Sequence, residues 1–109
     1  MWVSEEVERK FDSKRDQMIQ RIINSKINYV SVGLFGSYAR GEFTSRSDID
    51  FCIVTECTLT RLQKGTLRED AEDLGVDIIF IDKKDFECSE TRFMQNLRKD
   101  YKEVLKRAK

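Results

Sequence analysis

Two short apolar runs, each led by acidic residues, limit most tightly how this chain can fold. The first is S-D-I-D-F-C-I-V, Ser47 to Val54; the second is G-V-D-I-I-F-I-D, Gly75 to Asp82. Runs this short and this rich in β-branched and aromatic residues read as strands, expected over Asp48–Thr55 and Val76–Ile81. Asp48 and Asp50 stand at i and i+2, and a strand repeats its facing every two residues. Ile49, Phe51 and Ile53 then face one way, with Asp48, Asp50, Cys52 and Val54 opposite. The two carboxylates project together, roughly 7 Å apart. Like charges that close repel unless a cation lies between them, and hard oxygen ligands suit Mg²⁺. Asp77 heads the other run and is placed to complete a three-carboxylate cradle, with Asp82 at the far end of that run as its competitor.

Upstream, Tyr29 to Phe35 reads as a further buried strand, broken by Gly36, and Ser37 to Arg40 as a short helix whose N-terminus points back at the strand end. Taken alone, Gly36-Ser37 is an ordinary strand-to-helix turn. Ahead of paired acids, its backbone N–H groups and hydroxyl suit a phosphate. Arg40 reads either as a clamp beside that site or as a surface arginine paired with Glu42. Ser47, closing a polar loop from Glu42, is expected to hydrogen-bond the turn that presents the acids.

The remaining segments read as helices. Ser4-Glu5-Glu6 makes a helix start with acids in its first turn, and Val7, Phe11, Met18, Ile19, Ile22 and Ile23 continue the stripe to about Lys26. Thr58 to Leu74 is expected to be helical, with Gly65 as a point of weakness and Gly75 as its stop. Lys83 to Ser89 reads as a connection. A last helix is expected from about Glu90 to Arg107, with Phe93, Met94, Leu97, Tyr101, Val104 and Leu105 on its apolar face. The order α-β-α-β-α-β-α implies an α/β or α+β fold, a small mixed sheet of three to four strands flanked by helices. At 109 residues it is expected to be one domain over residues 1–109.

Composition removes several classes of function. Twenty basic and twenty acidic residues cancel, which argues against bulk affinity for nucleic acid. The 37% charged share is well above the usual ~25%, so long solvated helix faces are expected, including Arg61, Lys64 and Arg68 and the C-terminal set from Arg98 to Arg107. The chain has no histidine, and Cys52, Cys57 and Cys88 form no C-x-x-C pair. A zinc site is thereby not expected, nor a Ser-His or Cys-His nucleophile, and reduced thiols in a cytoplasm are expected. No leader and no apolar run of membrane-spanning length is seen in the sequence, so no membrane partner is expected.

G-S-Y-A-R-G over Gly36–Gly41, followed by S-D-I-D over Ser47–Asp50, resembles the motif of the minimal nucleotidyltransferases of the DNA polymerase β-like superfamily. The resemblance runs from about Ile27 to Ile81, with Asp77 as the third acid and no departure at the motif positions. It implies a nucleotidyltransferase fold and transfer of a nucleoside monophosphate, AMP from ATP, to an acceptor hydroxyl. Asp48, Asp50 and Asp77 would be the catalytic and metal-binding set for two Mg²⁺ ions. Gly36, Ser37, Arg40 and Ser47 would serve the nucleotide. Such proteins are commonly paired with a helical HEPN-domain protein as antitoxin and toxin, which would supply the acceptor. The alternatives are a transferase acting on a small hydroxylated molecule such as an aminoglycoside, and a non-catalytic antitoxin that works by binding alone.

Overall fold

A computed structural model describes residues 5–42, 44 and 47–107. Along the chain it has α1 (Glu5–Ser25), β1 (Ser31–Phe35), α2 (Gly36–Arg40), β2 (Asp50–Thr55), α3 (Arg61–Leu74), β3 (Asp77–Asp82), α4 (Lys83–Cys88), α5 (Arg92–Asp100) and β4 (Lys102–Lys106). The expected helix start at Ser4 and residues 43, 45 and 46 of the expected loop lie outside the described residues. The strands form one mixed sheet in the order β3-β2-β1-β4, with β1 antiparallel to both β2 and β4, and β2 parallel to β3.

The alternation read in β2 divides the core in two. Ile49, Phe51 and Ile53 join Val32 and Leu34 against α1 and α3, through Phe11, Met18, Ile22, Leu67 and Ala71. Cys52 and Val54 face the other way, into a smaller cluster with Phe35, Ile79, Ile81, Phe86, Leu97 and Tyr101. Each layer buries the side chains that its own strand periodicity sends to it. Ile23, at the edge of the α1 stripe, stays 43% exposed. Across the larger layer Arg21 ties α1 to α3, pairing with Asp70 and Asp73 at 3.0 Å each.

The start of α3 and the 83–89 connection differ from expectation, each for a local reason, while the expected stop at Gly75 holds. α3 begins at Arg61, because Thr60 forms a capping box: its side chain accepts from the Gln63 N–H and the Gln63 side chain accepts from its own N–H. Gly65 leaves α3 unbroken, and Gly75 ends it in the left-handed conformation, φ 73°. The 83–89 connection contains α4, capped by the Asp82 carboxylate accepting from Lys84 N–H at 3.1 Å.

The larger correction is at the C-terminus. The helix expected to reach Arg107 stops at Asp100, and Lys102–Lys106 becomes β4. Spacing of 101, 104 and 105 suits a helix, but the open edge of β1 offers a ladder, and pairing there satisfies the backbone while Val104 and Leu105 pack on the larger core. The turn from α5 to β4 is anchored by Tyr101, whose hydroxyl hydrogen-bonds Ser31 and whose ring lies against Gly33. Arg98, expected as a solvated residue, is half-buried and donates to the carbonyls of Phe86 and Ser89 at 2.7 Å each, fastening α4 to α5.

Candidate active site

The site is built where β1 turns into α2. Phe35, the last residue of β1, is the ladder partner of Asp50, and Asp50 is the ladder partner of Asp77. Residues opposed in a ladder share a face, so Asp50 and Asp77 project together on the side of the sheet that carries α4 and α5. The strand alternation agrees, since Cys52, Val54, Ile79 and Ile81 all lie on that side. Asp77 opens β3 because its N–H donates to the Ile49 carbonyl at 2.9 Å, fixing the register.

Gly36 supplies the tight approach. It sits at φ +81°, and a Cβ there would collide with Oδ2 of Asp50. The chain thus closes directly over the Asp50 carboxylate before entering α2. Ser37 follows, half-buried in the first turn of that helix. Burial raises the pKa of Asp50 to about 6, helped by the charges of Asp77 and Asp48 and a hydrogen bond with Asp77. Asp50 and Asp77, paired so that their charges repel, supply two carboxylates of the kind a hard divalent cation accepts, so this pair fits the metal expected from the sequence.

Asp48 is placed differently from its partners. β2 begins at Asp50, leaving Asp48 exposed two residues ahead of the strand. The reason is the turn at Gly36: once β1 leaves the sheet, no strand among the described residues pairs on that side with residues before Asp50. Among the described residues no three acidic, cysteine or histidine side chains stand close enough together to hold a metal ion. Asp82, the competing third acid, is at the opposite end of β3, paired with Thr55 and committed to capping α4.

Arg40 ends α2 with ion pairs to Glu42 at 3.1 Å and to Asp100 of α5 at 2.6 Å. Asp100 carried no signal in the sequence, because its role depends on where α5 lands. Ser47 hydrogen-bonds the loop before β2: its Oγ accepts from the Thr44 N–H at 2.8 Å, and its own N–H donates to the Thr44 carbonyl at 3.0 Å. Cys52 lies fully buried on the Asp50 face, its thiol pushed up to about 12 by burial. Cys57 and Cys88 are exposed free thiols.

Residues 15–107 match the nucleotidyltransferase domain family, and the chain belongs to that family. No curated protein matches it by sequence. Among solved structures it is similar to a protein of Sulfolobus solfataricus described as a nucleotidyltransferase, at TM-score 0.63 and 21% identity, over 94% of this chain and 86% of that one. It is similar to a toxin–antitoxin complex with AMP-PNP, at TM-score 0.61 and 22% identity, over 84% and 73%. A third is the Shewanella oneidensis complex of a tri-AMPylated HEPN toxin with an MNT antitoxin, at TM-score 0.57 and 19% identity, over 88% and 72%. The fold is that of the nucleotidyltransferases. Among the described residues, no helix is long and apolar enough to cross a membrane.

Proposed function

We propose that this chain, acting as a single domain over residues 1–109, transfers AMP from ATP to a hydroxyl group on a helical HEPN-domain partner. The observation that carries the reading is the pairing of Asp50 with Asp77 on adjacent strands, with Gly36 closed over the Asp50 carboxylate. Asp48, Asp50 and Asp77 would hold two Mg²⁺ ions, which when bound neutralise triphosphate charge and acidify an acceptor hydroxyl. Asp77 accepts the proton from that hydroxyl. The acceptor oxygen bonds to the α-phosphorus as the bond to the bridging oxygen breaks, and pyrophosphate leaves. The Gly36 and Ser37 N–H groups and the Ser37 hydroxyl hold the β- and γ-phosphates. Arg40 acts at one remove, locking α2 to α5 through Asp100 so that the phosphate turn keeps its position. Ser47 steadies the loop carrying Asp48.

The acceptor is assigned by analogy with the Shewanella complex, where the HEPN toxin carries the AMP groups. ATP as donor is supported by the neighbour that holds AMP-PNP. Free thiols suit work in a reducing cytoplasm. Incubation with the product of the adjacent gene and Mg-ATP tests this directly. Intact-mass spectrometry is expected to show increments of about 329 Da on the partner, one AMP residue each. A partner that is bound and silenced without gaining mass would establish the binding-only antitoxin instead.

A further inference from the structure

Phe93 is a large side chain that the fold leaves uncovered at the acid end of the sheet. Its helix buries Met94 and Leu97, yet Phe93 itself is 55% exposed. Its ring meets Phe35 at a centroid distance of 6.4 Å and an interplanar angle of 83°, an edge-to-face contact. Phe35 is the ladder partner of Asp50, and Asp50 of Asp77, so Phe35, Asp50 and Asp77 form one row on one face. Phe93 abuts the Phe35 end of that row.

Two contacts hold α5 in this position. At their C-terminal ends α2 and α5 are joined by Arg40 and Asp100. At the other end Phe35, the residue before α2, meets Phe93 in the first turn of α5. The two helices therefore run side by side in the same direction, with Phe93 kept against Phe35, the ladder neighbour of Asp50. A row of hard oxygens ending in an exposed aromatic ring matches a nucleotide, whose charged phosphates and flat base lie on either side of one ribose.

We infer that Phe93, braced by Phe35, is the stacking platform for the base of the nucleotide held at Asp50 and Asp77. The inference rests on the nucleotide-transfer reading above. Stacking uses the π-face of the base and ignores its hydrogen-bonding edge, so the platform favours purines over pyrimidines by ring area and separates ATP from GTP weakly.

Calorimetry on the full chain with Mg²⁺ tests this, using ATP and inorganic tripolyphosphate as probes. Phe93→Ala is expected to weaken ATP about tenfold or more, the usual loss for removing a stacking ring, and to leave tripolyphosphate unchanged. Phe93→Leu keeps the apolar cover without the π-face and is expected to behave like Phe93→Ala. Phe93→Trp is expected to restore ATP affinity. Unchanged ATP binding in Phe93→Leu, or parallel losses for ATP and tripolyphosphate, overturns the platform. If the wild-type chain binds ATP and Asp50→Asn abolishes that binding while Phe93→Ala does not alter it, the platform alone falls. If the wild-type chain binds neither probe, the nucleotide reading falls and the platform with it.

Discussion

Asp50 is where the conflict between folding and function is sharpest. Its carboxyl is half-buried beside two other acids, and its pKa is raised from 3.8 to about 6. The folded chain without metal therefore holds a proton that the unfolded chain releases between those values. The sign follows by linkage: this group's contribution to stability is intact below about pH 4, falls as pH rises to about 6, and stays low above that. A shift of that size corresponds to about 3 kcal/mol at full value, and solvent screening at a half-buried site reduces it to about 1–2 kcal/mol. Asp50→Asn removes that penalty. Urea unfolding of both proteins without metal is expected to show the variant's advantage over wild type growing from near zero at about pH 4 to about 1–2 kcal/mol at about pH 7. The same variant is expected to lose AMP transfer. A variant that transfers label from α-labelled ATP at the wild-type rate would remove Asp50 from the site.

Which elements could be read from sequence depended on whether their cause was local. β2 and β3 were legible because each is a short β-branched run with a polar or glycine boundary, and the facing of Ile49, Phe51 and Ile53 followed from period two alone. The acids Asp50 and Asp77 were legible for the same reason, since each lies at the leading end of an apolar run, although the strands begin at these residues rather than at Asp48 and Val76. Asp48 was placed on the strand only because the loss of its ladder partner at Gly36 is a tertiary event. β4 was hidden more deeply, because K-E-V-L-K carries no strand period and becomes a strand only against the edge of β1. Its seat is testable at Gly33. A Cβ there would run into the Tyr101 ring, whose hydroxyl is held by Ser31, so the ring cannot swing aside without losing that bond. Gly33→Ala is expected to destabilise by about 1–3 kcal/mol, the usual cost of overpacking. In a Tyr101→Leu background most of that penalty should vanish. Additive losses in the double-mutant cycle would show that Gly33 and Tyr101 do not meet.

Over the whole molecule, zero net charge conceals an uneven arrangement. Several arginines are spent on joining distant segments: Arg21 holds α1 to α3, Arg40 holds α2 to α5, and Arg107 reaches Glu56 at 3.0 Å from beyond the end of β4. The acid end of the sheet, by contrast, gathers Asp48, Asp50 and Asp77 close enough for the charges of the other two to raise the pKa of Asp50. A triphosphate approaching that end meets like charge, and the balance of the chain as a whole gives it no compensating long-range attraction. On the proposed reading, binding is therefore expected to be conditional on a divalent cation. Calorimetric titration with ATP is expected to give a clear binding isotherm with Mg²⁺ or Mn²⁺ and none in EDTA. Because exposed charges are screened within about 10 Å at 0.1 M salt, raising the salt in EDTA should recover little of the lost affinity. What is missing there is a bridging ion with open coordination positions, which monovalent screening does not supply. Equal ATP affinity with and without EDTA would place the triphosphate away from the carboxylates, and the assignment of Asp48, Asp50 and Asp77 would fall with it.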